Sequence, residues 1–155
     1  MADQSGILTE FSADYDVPGL PPESYSLFRS WHDEGRLGFL DLPDDSELLK
    51  LSIDAAARWA SRAGSMVVTG IGGSSLGLVM LLEALQDPSG KRVEVLENPD
   101  ACTHSQVRER FDPANTLLTV ITKSGGTAET VAGFLGMYHW LKDDSRIVAV
   151  TDPSR

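Results

Sequence analysis

Four short apolar runs constrain the fold of this chain more than any other feature of its sequence. They cover residues 66–69, 93–96, 117–121 and 147–150 and are rich in β-branched side chains. Each run is too short to form a stable helix by itself, and runs of this kind are typical of strands buried on both faces of a parallel sheet. Segments with helical spacing separate the runs. This alternation of strand and helix predicts βαβ units and therefore an α/β fold.

The intervening segments predict the layers on either side of the sheet. Apolar side chains recur at helical spacing within residues 46–62, 75–85, 103–111 and 127–141. Helices between successive parallel strands cover the faces of the sheet, because each crossover must return the chain to the same edge. The sequence thus predicts a three-layer αβα sandwich with a parallel sheet at its centre.

Two regions of different character follow from the distribution of turn residues. Residues 1–42 are predicted to form an N-terminal arm with a short helix that begins at Pro22 and ends near Gly35. Residues 43–155 are predicted to form the α/β domain. The chain stops at Arg155, directly after the fourth run, and leaves no residues for a following helix. We therefore expect an incomplete domain, truncated after its fourth strand, within a longer protein.

Charge and composition narrow the possible partners. The 155 residues include 13 Lys and Arg against 23 Asp and Glu, a net charge of −10. This balance argues against charge-driven binding to nucleic acid or to an anionic membrane surface. Cys102 is the single cysteine, the N-terminus lacks a signal sequence, and no stretch approaches the roughly 20 apolar residues that span a bilayer. We expect a cytoplasmic protein that binds no nucleic acid or membrane.

A glycine-rich loop follows the first apolar run. Its sequence is GIGGSSLG at residues 70–77, and it opens the next predicted helix. Glycines allow a sharp turn and close approach to a ligand, and a helix N-terminus attracts anions. Ser74 and Ser75 add hydroxyl donors. The loop therefore predicts anion binding, with phosphate as the usual anion.

A second loop of similar chemistry follows the third apolar run. Residues 122–127 carry three hydroxyl side chains, two glycines and Lys123 before another predicted helix. Both loops lie at the carboxyl ends of parallel strands, where open α/β sheets bind ligands. They can share one ligand only if the first and third strands are neighbours. This requirement predicts the strand order 2-1-3-4.

The first loop is also compatible with other functions. It approaches the dinucleotide fingerprint G-x-G-x-x-G, although Ser75 occupies the position of the last glycine. Glu97 could then bind a ribose, which keeps the dinucleotide-binding domain of an oxidoreductase as an alternative. A tight turn without a ligand, in a non-enzymatic interaction domain, is a further alternative. Neither loop has the Walker A pattern, and the scattered histidines and single cysteine indicate no metal site.

Taken together, GIGGSSLG at 70–77 and TKSGGTAET at 122–130 resemble the phosphoglucose isomerase family, which belongs to the wider sugar-isomerase (SIS) fold group. The resemblance covers about residues 37–155 and implies an SIS or flavodoxin-like sheet. It implies that Gly73 and Ser74 meet the substrate phosphate and the neighbouring sugar. It also implies that Glu129 orients a ring-opening histidine outside this chain. The implied second phosphate loop comprises Thr122, Lys123, Ser124 and Thr127, of which the first is usually serine in the family.

The resemblance also implies a reaction. The family interconverts glucose 6-phosphate and fructose 6-phosphate through a cis-enediol, without a metal or other cofactor, and its members are usually homodimers. The glutamate base, an arginine, the histidine and a late lysine of the family lie beyond residue 155. The chain is therefore expected to bind the phosphate of a sugar and to be inactive alone. A phosphosugar-binding SIS module or a different aldose–ketose isomerase remains an alternative within the fold group.

Overall fold

The computed structural model describes residues 19, 21–85 and 90–152. Residues 1–18 and 20, within the predicted arm, lie outside the described part of the chain. The chain divides into two compact units, Met1–Leu49 and Lys50–Arg155. The boundary that the sequence predicts between residues 42 and 43 stays a prediction.

The first unit is built from short local elements. Helix α1 covers Pro22–Asp33 and begins with a proline, whose fixed φ suits the first helical position. Gly35 follows with φ of +70°, a left-handed conformation that glycine adopts without strain. Two short 3-10 turns, Gly38–Leu40 and Leu42–Asp44, follow, and the unit ends within the next helix, which begins at Ser46.

The second unit contains a four-stranded parallel sheet with the order β2-β1-β3-β4. This order confirms the predicted 2-1-3-4 arrangement, and the helices that flank the sheet confirm the α/β class. The elements after α1 are α2 (Ser46–Ala60), β1 (Ser65–Thr69), α3 (Leu76–Leu85), β2 (Arg92–Leu96), α4 (Ala101–Arg110), β3 (Thr116–Ile121), α5 (Ala128–Leu141) and β4 (Ile147–Val150).

Several helix boundaries differ from the predicted ones for local reasons. Helix α4 begins at Ala101, earlier than predicted, because Asp100 Oδ2 accepts the Thr103 backbone N–H at 2.7 Å and caps the helix. Helix α3 begins at Leu76 because residues Gly72–Ser74 form a separate 3-10 turn. Side-chain spacing cannot detect such a turn, since a single turn has too few residues to show a period.

The register of the sheet aligns the carboxyl ends of its strands. Thr69 at the end of β1 lies opposite Leu96 of β2 on one side and Val120 of β3 on the other. The central strands are largely buried, as expected. The expectation of burial on both faces is wrong for β4, where Val150 is 51% exposed. Among the described residues, β4 is an edge strand of this sheet and pairs with β3 alone.

The main core lies on one face of the sheet, beneath α4 and α5. Alternate residues of the strands point to this face, as the pleat requires. They meet one buried side of each helix, and Phe134, Trp140 and Ile147 pack around the edge. Burial of this apolar surface is the main stabilising contribution in the unit. The buried cluster comprises Val67, Leu96, Val107, Phe111, Leu118, Met137 and Leu141.

The opposite face of the sheet carries the other set of alternating residues. Here α2 and the chain that follows it lie over Met66, Val93, Leu117 and Val148, around a cavity of about 370 Å³. The Thr119 hydroxyl, also on this face, is buried without a hydrogen-bond partner among the described residues. The two faces are thus packed differently, the α4 and α5 side more tightly.

Close packing between α4 and α5 depends on a glycine. A Cβ atom at Gly136 of α5 would lie 2.6 Å from Nδ1 of His104 in α4. Gly133, one turn earlier, would place its Cβ at an ordinary distance of 3.7 Å from Thr69. The His104 ring is buried, and its Nε2 has no hydrogen-bond partner in the described structure. The imidazole therefore has little room to move away from α5.

We predict opposite effects for alanine at these two glycines. Gly136→Ala should destabilise the fold by about 1–3 kcal/mol, because the new methyl overlaps a buried ring. Gly133→Ala, the matched control, should be neutral or stabilising by up to about 1 kcal/mol, since alanine favours a helix. Urea unfolding measures both. Equal stability of the two variants would contradict this account of the α4–α5 contact.

The pKa of His104 is expected below 6.5, and the pKa of His32 above it. Burial lowers the pKa of His104, and the nearby Arg108 charge lowers it further. A hydrogen bond to Asp41 raises the pKa of His32, whose Nε2 lies 3.0 Å from Asp41 Oδ1. The contribution of His104 to stability is therefore present above pH 6.5 and lost as the pH falls toward its folded pKa. NMR titration of the ring protons checks both directions, and a His104 midpoint above 6.5 would contradict the burial argument.

Candidate functional site

The first loop lies directly against the carboxyl end of β3. A Cβ atom at Gly70 would lie 2.9 Å from the Ser74 carbonyl oxygen and 3.3 Å from the Ile121 carbonyl oxygen. The backbone N–H of Gly70 donates to the Leu96 carbonyl at 3.3 Å. Gly70 therefore joins three segments: the first loop, the end of β2, and the residue that precedes the second loop. Only glycine fits at this junction without displacing backbone.

Gly72–Ser74 form a 3-10 turn that shapes the first loop. Gly72 has φ of +59°, and the Ser74 and Ser75 N–H groups donate to the carbonyls of Ile71 and Gly72 at 3.1 and 3.0 Å. Within the described residues, the Ser74 hydroxyl has no hydrogen-bond partner. Gly73 is exposed, with open space where a side chain would be. Both residues are accessible to a ligand above the turn.

Ser75 occupies a different position from the one expected for an anion donor. It is 1% exposed, and its hydroxyl donates to Glu97 Oε1 at 2.7 Å. The sequence suggested Ser75 as a donor to the anion and Glu97 as a ligand of ribose, and the structure instead pairs the two side chains. This pair could not be found from sequence, because it depends on how the ends of β1 and β2 align.

Hydrogen bonds of its own side chains fold the second loop. The Gly125 N–H donates to Thr122 Oγ1 at 3.1 Å, and Gly125 has φ of +72°. The Gly126 N–H reaches Ser124 Oγ at 3.5 Å. The Thr122 N–H donates to the Val150 carbonyl at 3.0 Å, which ties the loop to the end of β4. Both hydroxyl groups accept from the backbone, and their own hydrogens remain available to donate.

Three further side chains of this region are accessible. Lys123 is exposed and makes no ion pair in the described part of the chain. Thr127 occupies the N-cap position of α5, but its side chain makes no capping hydrogen bond. Glu129 lies exposed in the first turn of the same helix, where a carboxylate interacts favourably with the helix dipole. The groups that a phosphate needs are present, while Glu129 has a structural explanation as well.

Local electrostatics favour an anion here despite the net charge of −10. The N-termini of α3, 10 residues long, and α5, 14 residues long, follow the two loops. Each helix N-terminus carries roughly half a positive charge. Lys123 adds a full charge next to the second helix. Such short-range attraction outweighs distant carboxylates, whose field is screened within about 8 Å at physiological ionic strength.

The structure thus gathers the predicted residues at one edge of the sheet. The predicted positions lie in the two adjacent loops or in the first turn of α5. Among the described residues, no group of three or more His, Cys, Asp and Glu side chains could hold a metal ion. Nor does the described part contain a helix long and apolar enough to cross a membrane. The predicted positions are Gly73, Ser74, Thr122, Lys123, Ser124, Thr127 and Glu129.

Alanine at Gly70 should separate the two loops. The new Cβ would meet backbone atoms of Ser74 and Ile121, which cannot rotate away, so the first loop must shift. We expect a loss of about 1–3 kcal/mol in stability and amide NMR shifts in both loops. Gly77→Ala is the control, because open space surrounds that position in α3. A Gly70→Ala spectrum that matches the Gly77→Ala spectrum would refute the close contact.

Known proteins are similar to this chain in sequence. A profile of the family described as Phosphoglucose isomerase matches residues 53–152. A glucose-6-phosphate isomerase of Rubrobacter xylanophilus is 37% identical over 134 residues, which cover 76% of this chain and 31% of the relative. This chain therefore spans about a third of the length of that relative.

Solved structures are also similar to this chain in fold. A glucose-6-phosphate isomerase from Chlamydia trachomatis is 30% identical, with a TM-score of 0.57 over 66% of this chain and 22% of that one. The sugar isomerase domain of an RpiR transcription factor from Sphaerobacter thermophilus shares the fold, with a TM-score of 0.52 at 22% identity. That alignment covers 78% of this chain and 66% of the domain. On its sequence, its sheet order and its profile match, the chain belongs to the phosphoglucose isomerase family.

Proposed function

We propose that this chain forms the phosphate-binding part of a glucose-6-phosphate isomerase. Its two loops bind the phosphate of glucose 6-phosphate or fructose 6-phosphate and thereby position the sugar. The observation that carries the proposal is the contact of Gly70 with both Ser74 and Ile121, because it brings two anion-binding loops together at one sheet edge. The similar proteins are named glucose-6-phosphate isomerases, which supports the same substrate class.

The proposed contacts follow from the accessible donors. Ser74 and the exposed backbone at Gly73 face the ligand from the first loop. Ser124, Thr127 and Lys123 contact the phosphate from the second loop. A phosphate dianion has several acceptor oxygens, and charge-assisted bonds to them are roughly twice as strong as neutral ones. The Thr122 hydroxyl contributes its hydrogen while its oxygen continues to accept the Gly125 N–H.

Phosphate binding contributes to the reaction by positioning. Isomerisation requires ring opening and proton transfer between C2 and C1 through a cis-enediol, steps that acid–base side chains perform. In this proposal those side chains come from outside these 155 residues, and Glu129 orients the ring-opening histidine among them. Binding a non-reacting phosphate holds the sugar where proton transfer is favourable, so the binding energy serves catalysis. Family membership also makes a homodimer part of this proposal for the whole protein.

A titration with fructose 6-phosphate tests the proposal. Amide NMR shifts should concentrate at residues 70–76 and 122–129. Lys123→Ala should weaken binding about ten- to hundredfold, because it removes a charged donor. The pair Ser124→Ala and Thr127→Ala should weaken binding without unfolding the chain. Lys50→Ala is the control, since Lys50 is an exposed lysine that pairs with Asp54 at 2.6 Å.

A parallel titration with NAD distinguishes the dinucleotide alternative. Shifts with NAD centred on the first loop, and none with the sugar phosphate, would overturn the proposal. Unchanged affinity of the Lys123→Ala and Lys50→Ala chains would remove the second loop from the site. Shifts with inorganic phosphate as large as those with fructose 6-phosphate would limit the proposal to phosphate recognition without a contribution from the sugar.

A further inference from the structure

Glu97 holds a position that the proposed phosphate contacts do not explain. It follows β2 directly and lies beside the first loop, because Leu96 at the end of β2 pairs with Thr69 at the end of β1. A carboxylate so near a phosphate site opposes anion binding through like-charge repulsion. Phosphate binding alone therefore does not explain a carboxylate at this position.

The hydrogen bonds around the first loop indicate that role. The Gly70 N–H donates to the Leu96 carbonyl at 3.3 Å, which fixes the start of the loop against β2. The Ser75 hydroxyl donates to Glu97 Oε1 at 2.7 Å, which fixes the end of the loop against the same strand. Exposed Gly72 and Gly73 lie between these two attachments. Loop residues without side chains have many accessible conformations, and attachment at both ends reduces their number.

The Ser75 bond is well placed to be strong. Ser75 is 1% exposed, and a hydroxyl that donates to a carboxylate in a partly buried setting makes a charge-assisted bond. The Ser75 backbone carbonyl accepts the Val79 N–H at 3.0 Å in the first turn of α3. Ser75, whose side chain binds Glu97, thus immediately precedes α3, which begins at Leu76. The bond fixes the direction of the helix N-terminus as well as the loop.

We infer that Glu97 is a positioning residue for the first phosphate loop and acts through Ser75. Its carboxylate holds the loop and the N-terminus of α3 in the conformation that receives the phosphate, and Ser75 makes no phosphate contact. The inference rests on the proposed function for the identity of the ligand. The Ser75–Glu97 bond itself can be tested without any ligand.

The first experiment uses the ligand-free 155-residue chain. Hydrogen exchange at the amides of residues 72–79 should accelerate about tenfold or more in Glu97→Ala and in Ser75→Ala. The Ser75 hydroxyl also lies 3.2 Å from the Gly72 carbonyl, so Ser75→Ala removes that contact as well. The double variant should therefore exchange no faster than Ser75→Ala, because Glu97→Ala removes a bond that Ser75→Ala has already removed. Glu97→Gln should exchange more slowly than Glu97→Ala, since its amide oxygen still accepts from Ser75, although without the charge. Glu94→Ala is the matched control, a carboxylate of β2 that pairs with Arg110 at 3.1 Å.

The second experiment titrates the same variants with fructose 6-phosphate. Glu97→Ala should bind about ten- to hundredfold more weakly, while Glu97→Gln and Glu94→Ala should stay within about threefold of wild type. Binding by Glu97→Gln that Glu97→Ala lacks would show that the hydrogen bond to Ser75 supports the loop. Thermal melting confirms that each variant folds. A Glu97→Ala chain that binds as wild type overturns the inference, as does one with wild-type exchange. A wild-type chain that does not bind refutes the proposed function instead, and exchange then decides the role of Glu97.

Discussion

The parallel pairing of β1 with β3 is the constraint on which the candidate site depends. Each strand leads into a loop of the proposed phosphate site, and α3, β2, α4 and β3 separate the two loops along the chain. Pairing with Thr69 opposite Val120 aligns the carboxyl ends of these strands and so brings the loops side by side. The absence of a side chain at Gly70 then lets the first loop touch the Ile121 carbonyl. Every proposed phosphate contact follows from this alignment.

The proposed anion site is compatible with so acidic a chain because electrostatic interactions weaken with distance. Most carboxylates lie away from the two loops and act through water, where a unit pair at 4 Å contributes only about 1 kcal/mol. Of the two near the loops, Glu97 accepts a hydrogen bond from Ser75 and Glu129 lies in the first turn of α5. Helix N-termini and loop N–H groups act at hydrogen-bond distance, and Lys123 lies between hydroxyl groups of the same loop. A net charge of −10 therefore limits the long-range attraction of an anion and is compatible with the proposed phosphate site.

The sequence predicted those features that depend on local patterns. Short β-branched runs located the four strands of the described sheet. The need for two loops to share one ligand predicted the strand order, which the structure confirms. Features that depend on register or on packing between elements could not be predicted. The bond between Ser75 and Glu97 requires the alignment of β1 with β2, and the contact of His104 with Gly136 requires the distance between α4 and α5. The 3-10 turn before α3 has too few residues to produce a pattern.

The end of β2 also bears on how a glycine-rich loop selects its ligand. A dinucleotide-binding fold uses an acidic residue near this position to bind ribose, which requires a carboxylate that faces the ligand. Here Glu97 Oε1 accepts from Ser75, at the position where the dinucleotide fingerprint has its last glycine. A glycine could not make this bond. The serine at position 75 and the glutamate at position 97 are therefore best understood together. The residue that departs from the fingerprint is the one that engages the acidic side chain within the protein.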